Sequence, residues 1–188
     1  VFKTVHDLFT RYVDFRSEVE SAILALWTIG TYFYTMFPAY PYLALNGPKN
    51  SGKSTVMRVM QPLAFNMVST SDPTGPSMFR LIHYTSCTVG IDEAERYHNP
   101  KDPGMQQIRQ LLNSGYKQGM PAIRLIGEDM KPQAFDVYSP KILAAIAEGL
   151  SPWFRDARLG VDLDRVPALA EDRERLWAQV SAAEFLSS

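Results

Sequence analysis

Residues 42–55 read YLALNGPKNSGKST, an apolar run that gives way at Asn46 to a loop of glycine, proline, serine and lysine. Five residues of that run, Tyr42 to Asn46, predict a buried strand, and the residues from Gly52 to Ala64 predict a helix with Val56, Met57, Val59, Met60 and Leu63 on its apolar positions. The loop between them, Gly47 to Ser54, fits G-x-x-x-x-G-K-[ST] at every position, and it lies between strand and helix, the context that gives such a string its meaning. A chain of phosphates needs N–H groups converging from a loop free of bulky side chains, the partial positive charge of a helix N-terminus, and one ammonium. Gly47, Pro48, Lys49, Asn50, Ser51, Gly52, Lys53, Ser54 and Thr55 are the expected cradle. Lys53 would be the ammonium on the β and γ oxygens of ATP, and Ser54 would ligate Mg2+.

Such a loop acts as an enzyme only with a second carboxylate motif, and TVGIDEAE (88–95) supplies one at the end of an apolar strand expected over Cys87 to Asp92. Its distance along the chain predicts a neighbouring strand of the same sheet. Asp92 would then reach Mg2+ through a water, and Glu93 would polarise the attacking water, which favours hydrolysis over transfer to a second substrate. Thr85, Ser86, Glu95 and Arg96 around the pair read as surface or capping residues. His6, His83 and His98 are too scattered for a metal site.

Working outward, residues 5–36 predict two helices, the second starting near Arg16 or Ser17 with Glu18 and Glu20 in its first turn. From Ser21 to Pro48 no residue is charged, but Gly30, several Thr and Tyr, and Pro38 and Pro41 interrupt the run, so a buried helix is expected and a membrane span is not. A short strand at 67–69, a helix at 78–84 and a helix at 105–114 follow. PAIRLIG (121–127) and QAFDVYS (133–139), joined by EDMKP, predict a hairpin, KILAAIA (141–147) another buried strand, and residues 167–186 an amphipathic helix. The order predicts an α/β fold with a mostly parallel sheet.

With 188 residues, 46% of them hydrophobic, the chain is long enough for one compact domain. The expected organisation is a helical lead-in over 1–40, a core over 41–166 and a C-terminal helix over 167–188. A chain that opens at Val1 is expected to be a piece of a longer protein. A net charge of −1 excludes a global basic field, so any nucleic-acid site must be local. The single cysteine, Cys87, excludes an internal disulfide and points to a reducing, cytoplasmic setting.

Taken in order, YLALNGPKNSGKST, TVGIDEAE, IRQLLNSGYKQG, AIRL and FDVYSPKILAAIA resemble the P-loop ATPase core of replication proteins from phages, plasmids and mobile elements, AAA+ relatives similar to superfamily 3 helicases. The resemblance covers roughly residues 20–165 and implies a ring, usually a hexamer, with ATP held between subunits. It implies a DNA-gripping segment at 115–133, with Lys117, Arg124 and Lys131 as contacts and Tyr116 able to stack on a base. It also implies an arginine donated in trans after the last core strand, Arg155 or Arg158, with Arg158 preferred. One departure stands out: where the family carries a polar sensor, this strand ends AAIAEG, with Lys141 and Glu148 the nearest polar groups. Three functions are consistent with these residues: an ATP-driven DNA motor, a nucleotide-gated assembly switch or scaffold, and, less suited to the Asp92–Glu93 pair, a small-molecule kinase.

Overall fold

A computed structural model describes residues 1–15, 17–48, 50–98, 103–145 and 158–160; for 97–98, 103–105 and 158–160 the description is of the backbone alone. Two helices lead in, α1 (Phe2–Tyr12) and α2 (Glu18–Gly30), with Ser17 extended at the α2 N-cap and Glu18 and Glu20 in its first turn. The uncharged run is not one helix. It breaks after Gly30 and passes through a short 3-10 turn at Tyr34–Met36. The Tyr40 hydroxyl folds back to donate to the Trp27 carbonyl at 2.7 Å, while the Trp27 indole N–H donates to the Pro41 carbonyl at 2.8 Å. These two bonds tie the end of α2 to the residue just before β1 (Tyr42–Asn46).

The core then alternates strand and helix: α3 (Lys53–Met60), β2 (Val68–Thr70), α4 (Gly75–Thr85), β3 (Val89–Ile91) and α5 (Pro103–Ser114). A hairpin of β4 (Ala122–Ile126) and β5 (Lys131–Phe135) precedes β6 (Lys141–Ala145), and β7 (Arg158–Gly160) follows. The α4 N-terminus is closed by a reciprocal cap between Thr74 and Ser77, with Pro76 in the first turn. The second strand of the hairpin starts earlier than the sequence suggests. Gly127 (φ 73°) and Met130 (φ 50°) take the left-handed turn, which leaves Lys131 and Pro132 inside β5, where an edge position tolerates a residue without an N–H.

Five strands form one sheet in the order β2-β3-β6-β1-β7, parallel at every pair, and β4 and β5 form a separate antiparallel pair. The fold is therefore α/β, a parallel sheet flanked by helices, with a helical lead-in and a β-hairpin. Leu43 and its register partner Ile142 are buried with α1, α2 and α3, whereas Tyr42, Leu143, Val89 and Ile91 are buried with α4, α5 and the hairpin. A sheet covered on both faces explains why its strands read as continuous apolar runs. Each fully buried Leu, Ile or Phe contributes roughly 1.5–3 kcal/mol.

Strand order corrects one expectation. β3 is not beside β1, because β6 pairs with both and separates them. Pairing distant in sequence decides this, and nothing local in TVGID encodes it. Adjacent β1 and β6 continue toward opposite edges of the sheet, to β2 and to β7, so their C-terminal ends flank a topological switch point, where open α/β sheets bind ligands.

Candidate functional site

The glycine loop leaves the C-terminal end of β1 at that switch point. It doubles back tightly: a Cβ added to Gly47 would meet the Ser51 Oγ at 2.5 Å, so no larger residue fits without displacing Ser51. Gly52 precedes α3 with φ 91°, a conformation that side chains disfavour, and it leaves the helix N-terminus with no side-chain cap. The loop thus delivers the helix end without an acceptor of its own.

Lys53, the first residue of α3, turns its ammonium onto the loop. Its Nζ donates to the Gly47 and Pro48 carbonyls, each at 2.7 Å, with a longer approach of 3.4 Å to the Ser51 Oγ. Since an ammonium has three donors, two strong bonds leave one direction only weakly used. The next residue, Ser54, donates from Oγ to the Asp92 Oδ2 at 2.9 Å, bridging α3 to the residue after β3. The other carboxylate oxygen of Asp92 accepts the Glu93 N–H at 2.9 Å, and the Asp92 N–H donates to the Thr70 carbonyl at 2.9 Å. Hydroxyl and carboxylate from two elements therefore meet across the end of β6, the carboxylate held from behind by the Glu93 N–H.

Glu93 is itself unusual. Its backbone is left-handed (φ 54°), which costs a non-glycine residue roughly 1–2 kcal/mol. Its Oε2 lies 2.6 Å from the Arg96 Nη2, and the Arg96 N–H donates to the Glu93 carbonyl at 3.1 Å. One residue thus holds Glu93 by main chain and side chain together. Sequence reasoning assigned Arg96 to the surface; an acid and a base three apart on one helical turn was the signal that could have found the pair.

The remaining sequence-derived residues divide between the exit of α5, the hairpin and β7. Tyr116 and Lys117 follow α5 rather than riding on the hairpin: the Tyr40 N–H donates to the Tyr116 carbonyl, Lys117 bridges to Ala39, and the Tyr116 ring packs edge-on to Tyr42 at 6.3 Å. On the hairpin, Arg124 lies over the Phe79 ring at 4.2 Å and donates to the Gln110 Oε1 at 3.2 Å, while Lys131 pairs with Asp129 at 3.1 Å in an exposed position. Arg158 follows β6, as expected, but opens a further strand: it is the first residue of β7, paired in register with Tyr42 at the end of the sheet away from the glycine loop. Lys49, Arg155, Glu148 and the helix expected over 167–186 lie outside the described residues.

Lys141 is also at that far end, fully buried. Its ammonium donates to the Gly115, Val137 and Ser139 carbonyls at 2.9–3.1 Å and to the Ser139 Oγ at 3.1 Å. Burial pushes it down to about 7, partly opposed by Cys87 and Asp136. It fastens the exit of α5 to β6 and plays no part beside the loop.

Among the described residues, no group of three or more His, Cys, Asp or Glu could hold a metal ion, and no helix is long and apolar enough to cross a membrane. A cation at Ser54 and Asp92 would therefore need oxygens from a bound ligand, as Mg2+ sites built with phosphates do. No protein-family model matches this chain, and no curated protein matches it.

Proposed function

We propose that the chain is a P-loop ATPase of the AAA+ type, hydrolysing ATP as a ring-forming DNA motor. The observation that carries this reading is the bond between Ser54 and Asp92 beside an ammonium seated on the loop's own carbonyls. Two motifs distant in sequence meet there, which supports a site for phosphate and Mg2+.

In this reading Lys53 turns its weakly used N–H toward the β and γ oxygens and stays anchored by the other two. Ser54 and Asp92 would hold Mg2+, which when bound would neutralise charge on the phosphates. Glu93 leaves Arg96 and accepts a proton from water as the water oxygen bonds to the γ phosphorus. The bond from that phosphorus to the β,γ-bridging oxygen breaks, giving ADP and phosphate.

A second reading, a nucleotide-gated assembly switch, draws on the hairpin. Its cations are engaged within the chain, and its outward side chains Ile123, Leu125, Pro132 and Ala134 are apolar and exposed, a face better suited to protein than to DNA. Steady-state ATP hydrolysis over a range of protein concentrations, with and without single-stranded DNA, separates the two, with Lys53→Ala as the blank. Specific activity that rises with concentration and again with DNA supports the motor. Concentration-dependent assembly with ATP but no response to DNA supports the switch, and activity that persists in Lys53→Ala sinks both.

A further inference from the structure

Beside the glycine loop, on the side away from Asp92, lies a cavity of about 230 Å3. Gly47, Pro48, Ser51 and Lys53 form its inner wall, while Ser54 and Asp92 take no part in it. Its outer wall is the corner between α1 and α2, with Val13, Asp14 and Phe15, closed by Leu24 from α2 and Val56 from α3. A ligand with its phosphates on the loop would therefore have its Mg2+ end at Ser54 and Asp92 and its other end here.

The volume falls below the roughly 300–1,000 Å3 of pockets that enclose a whole drug-sized ligand, so it suits one part of a nucleotide rather than all of it. Val13, Phe15, Leu24 and Val56 offer apolar surface to a flat ring. Asp14 is exposed at the wall with no hydrogen bond or ion pair to another described residue, and an ionised carboxylate only accepts. Glu20 adds a second carboxylate to the same lining. A ring that presents N–H donors fits this lining better than one that presents acceptors alone.

We infer that the α1–α2 corner is the base-binding half of the site, and that Asp14 selects an amino-bearing purine by accepting from its exocyclic amine. The inference rests on the nucleotide reading above. It gives the lead-in a specificity role that the loop, which touches only phosphates, cannot supply.

Isothermal titration of the full chain, in a Glu93→Gln background to prevent turnover, tests it with three probes: ATP, purine riboside triphosphate lacking the amine, and inorganic tripolyphosphate. ATP is expected to bind at least about tenfold more tightly than purine riboside triphosphate, the scale of a hydrogen bond to a charged group. Asp14→Ala is expected to bring that ratio close to one and to leave tripolyphosphate unchanged. Equal binding of the two nucleosides' triphosphates in the parent chain, or a ratio that survives Asp14→Ala, would overturn the inference while leaving the phosphate site standing. Failure of ATP and tripolyphosphate alike to bind would remove the nucleotide reading and this one with it.

Discussion

Lys141 carries a charge into the middle of the molecule, and its neighbours decide what that costs. Three carbonyls and the Ser139 hydroxyl favour the ammonium, the Tyr42 ring lies 5.1 Å away, and full burial favours the neutral amine. With a folded value of about 7 and an unfolded value near the ordinary 10.5, both states are protonated below pH 7 and the burial cost is fully present there. Above pH 7 the unfolded chain holds a proton that the folded chain has released, so stability rises with pH, by at most about 1.4 kcal/mol per unit. Cys87, raised by burial, and the buried Tyr40 and Tyr42, raised likewise, act in the opposite sense only at higher pH. Urea unfolding at pH 7 and pH 8.5 should show the parent gaining on the order of 2 kcal/mol relative to Lys141→Met. A difference that stays flat would mean that the carbonyls keep the ammonium charged throughout. At Glu93 the relevant partner is Arg96, in an exposed pair. Arg96→Ala should leave the melting temperature nearly unmoved and raise kcat by up to about fivefold with little change in KM, because it releases a contact worth no more than about 1 kcal/mol. A kcat that falls instead would mean that Arg96 holds Glu93 in its working position.

Among the elements, the hairpin carries its two cations on one face but at different depths. Arg124 packs onto Phe79 and Gln110, while Lys131, at the turn end opposite Ile126, pairs with Asp129 in an exposed position. Arg124→Ala should therefore destabilise by about 1 kcal/mol through lost packing and cation–π contact, and Lys131→Ala by less than about 0.5 kcal/mol; thermal melts of both variants check this. Equal losses would show that the inward stacking contributes nothing. The same elements show what could be read in advance. β1 was legible to the residue because Tyr42–Asn46 is an apolar run ended by a glycine loop, and Lys53, Ser54 and Asp92 were legible because the motif specifies their spacing or chemistry. The expected helix from Gly52 to Ala64 stops at Met60, because Pro62 has no N–H to extend the helical ladder beyond Gln61. Lys141 was opaque: a lysine opening a strand reads as solvated, and its acceptors lie on a turn after α5 and a loop before β6. The base-side cavity was opaque for the same reason, because only the folded chain brings Asp14 to Gly47.

At the scale of the whole molecule, the sheet connects two clusters of buried side chains, one under α1, α2 and α3 and one under α4, α5 and the hairpin. The site draws on both sides of this division. Lys53 and Ser54 come from α3, whose Val56, Met57 and Met60 belong to the first cluster, and Asp92 follows β3, whose Val89 and Ile91 belong to the second. A ligand held by Lys53, Ser54 and Asp92 together binds only the folded chain, so its binding energy adds directly to folding stability. At a hundred times its Kd, ATP with Mg2+ should add about 2.7 kcal/mol, and a chain of this size gains about 2–4 °C in Tm for each kcal/mol. Lys53→Ala should abolish the shift. Ser54→Ala should keep part of it but make it the same with Mg2+ as with EDTA, since the hydroxyl that would join Asp92 on the cation is gone. Thermal denaturation of the three proteins with ATP, with and without Mg2+, is the measurement. A Tm that ATP leaves unmoved in the parent, or moves equally in Lys53→Ala, would mean that the loop and the carboxylate meet for structural reasons alone.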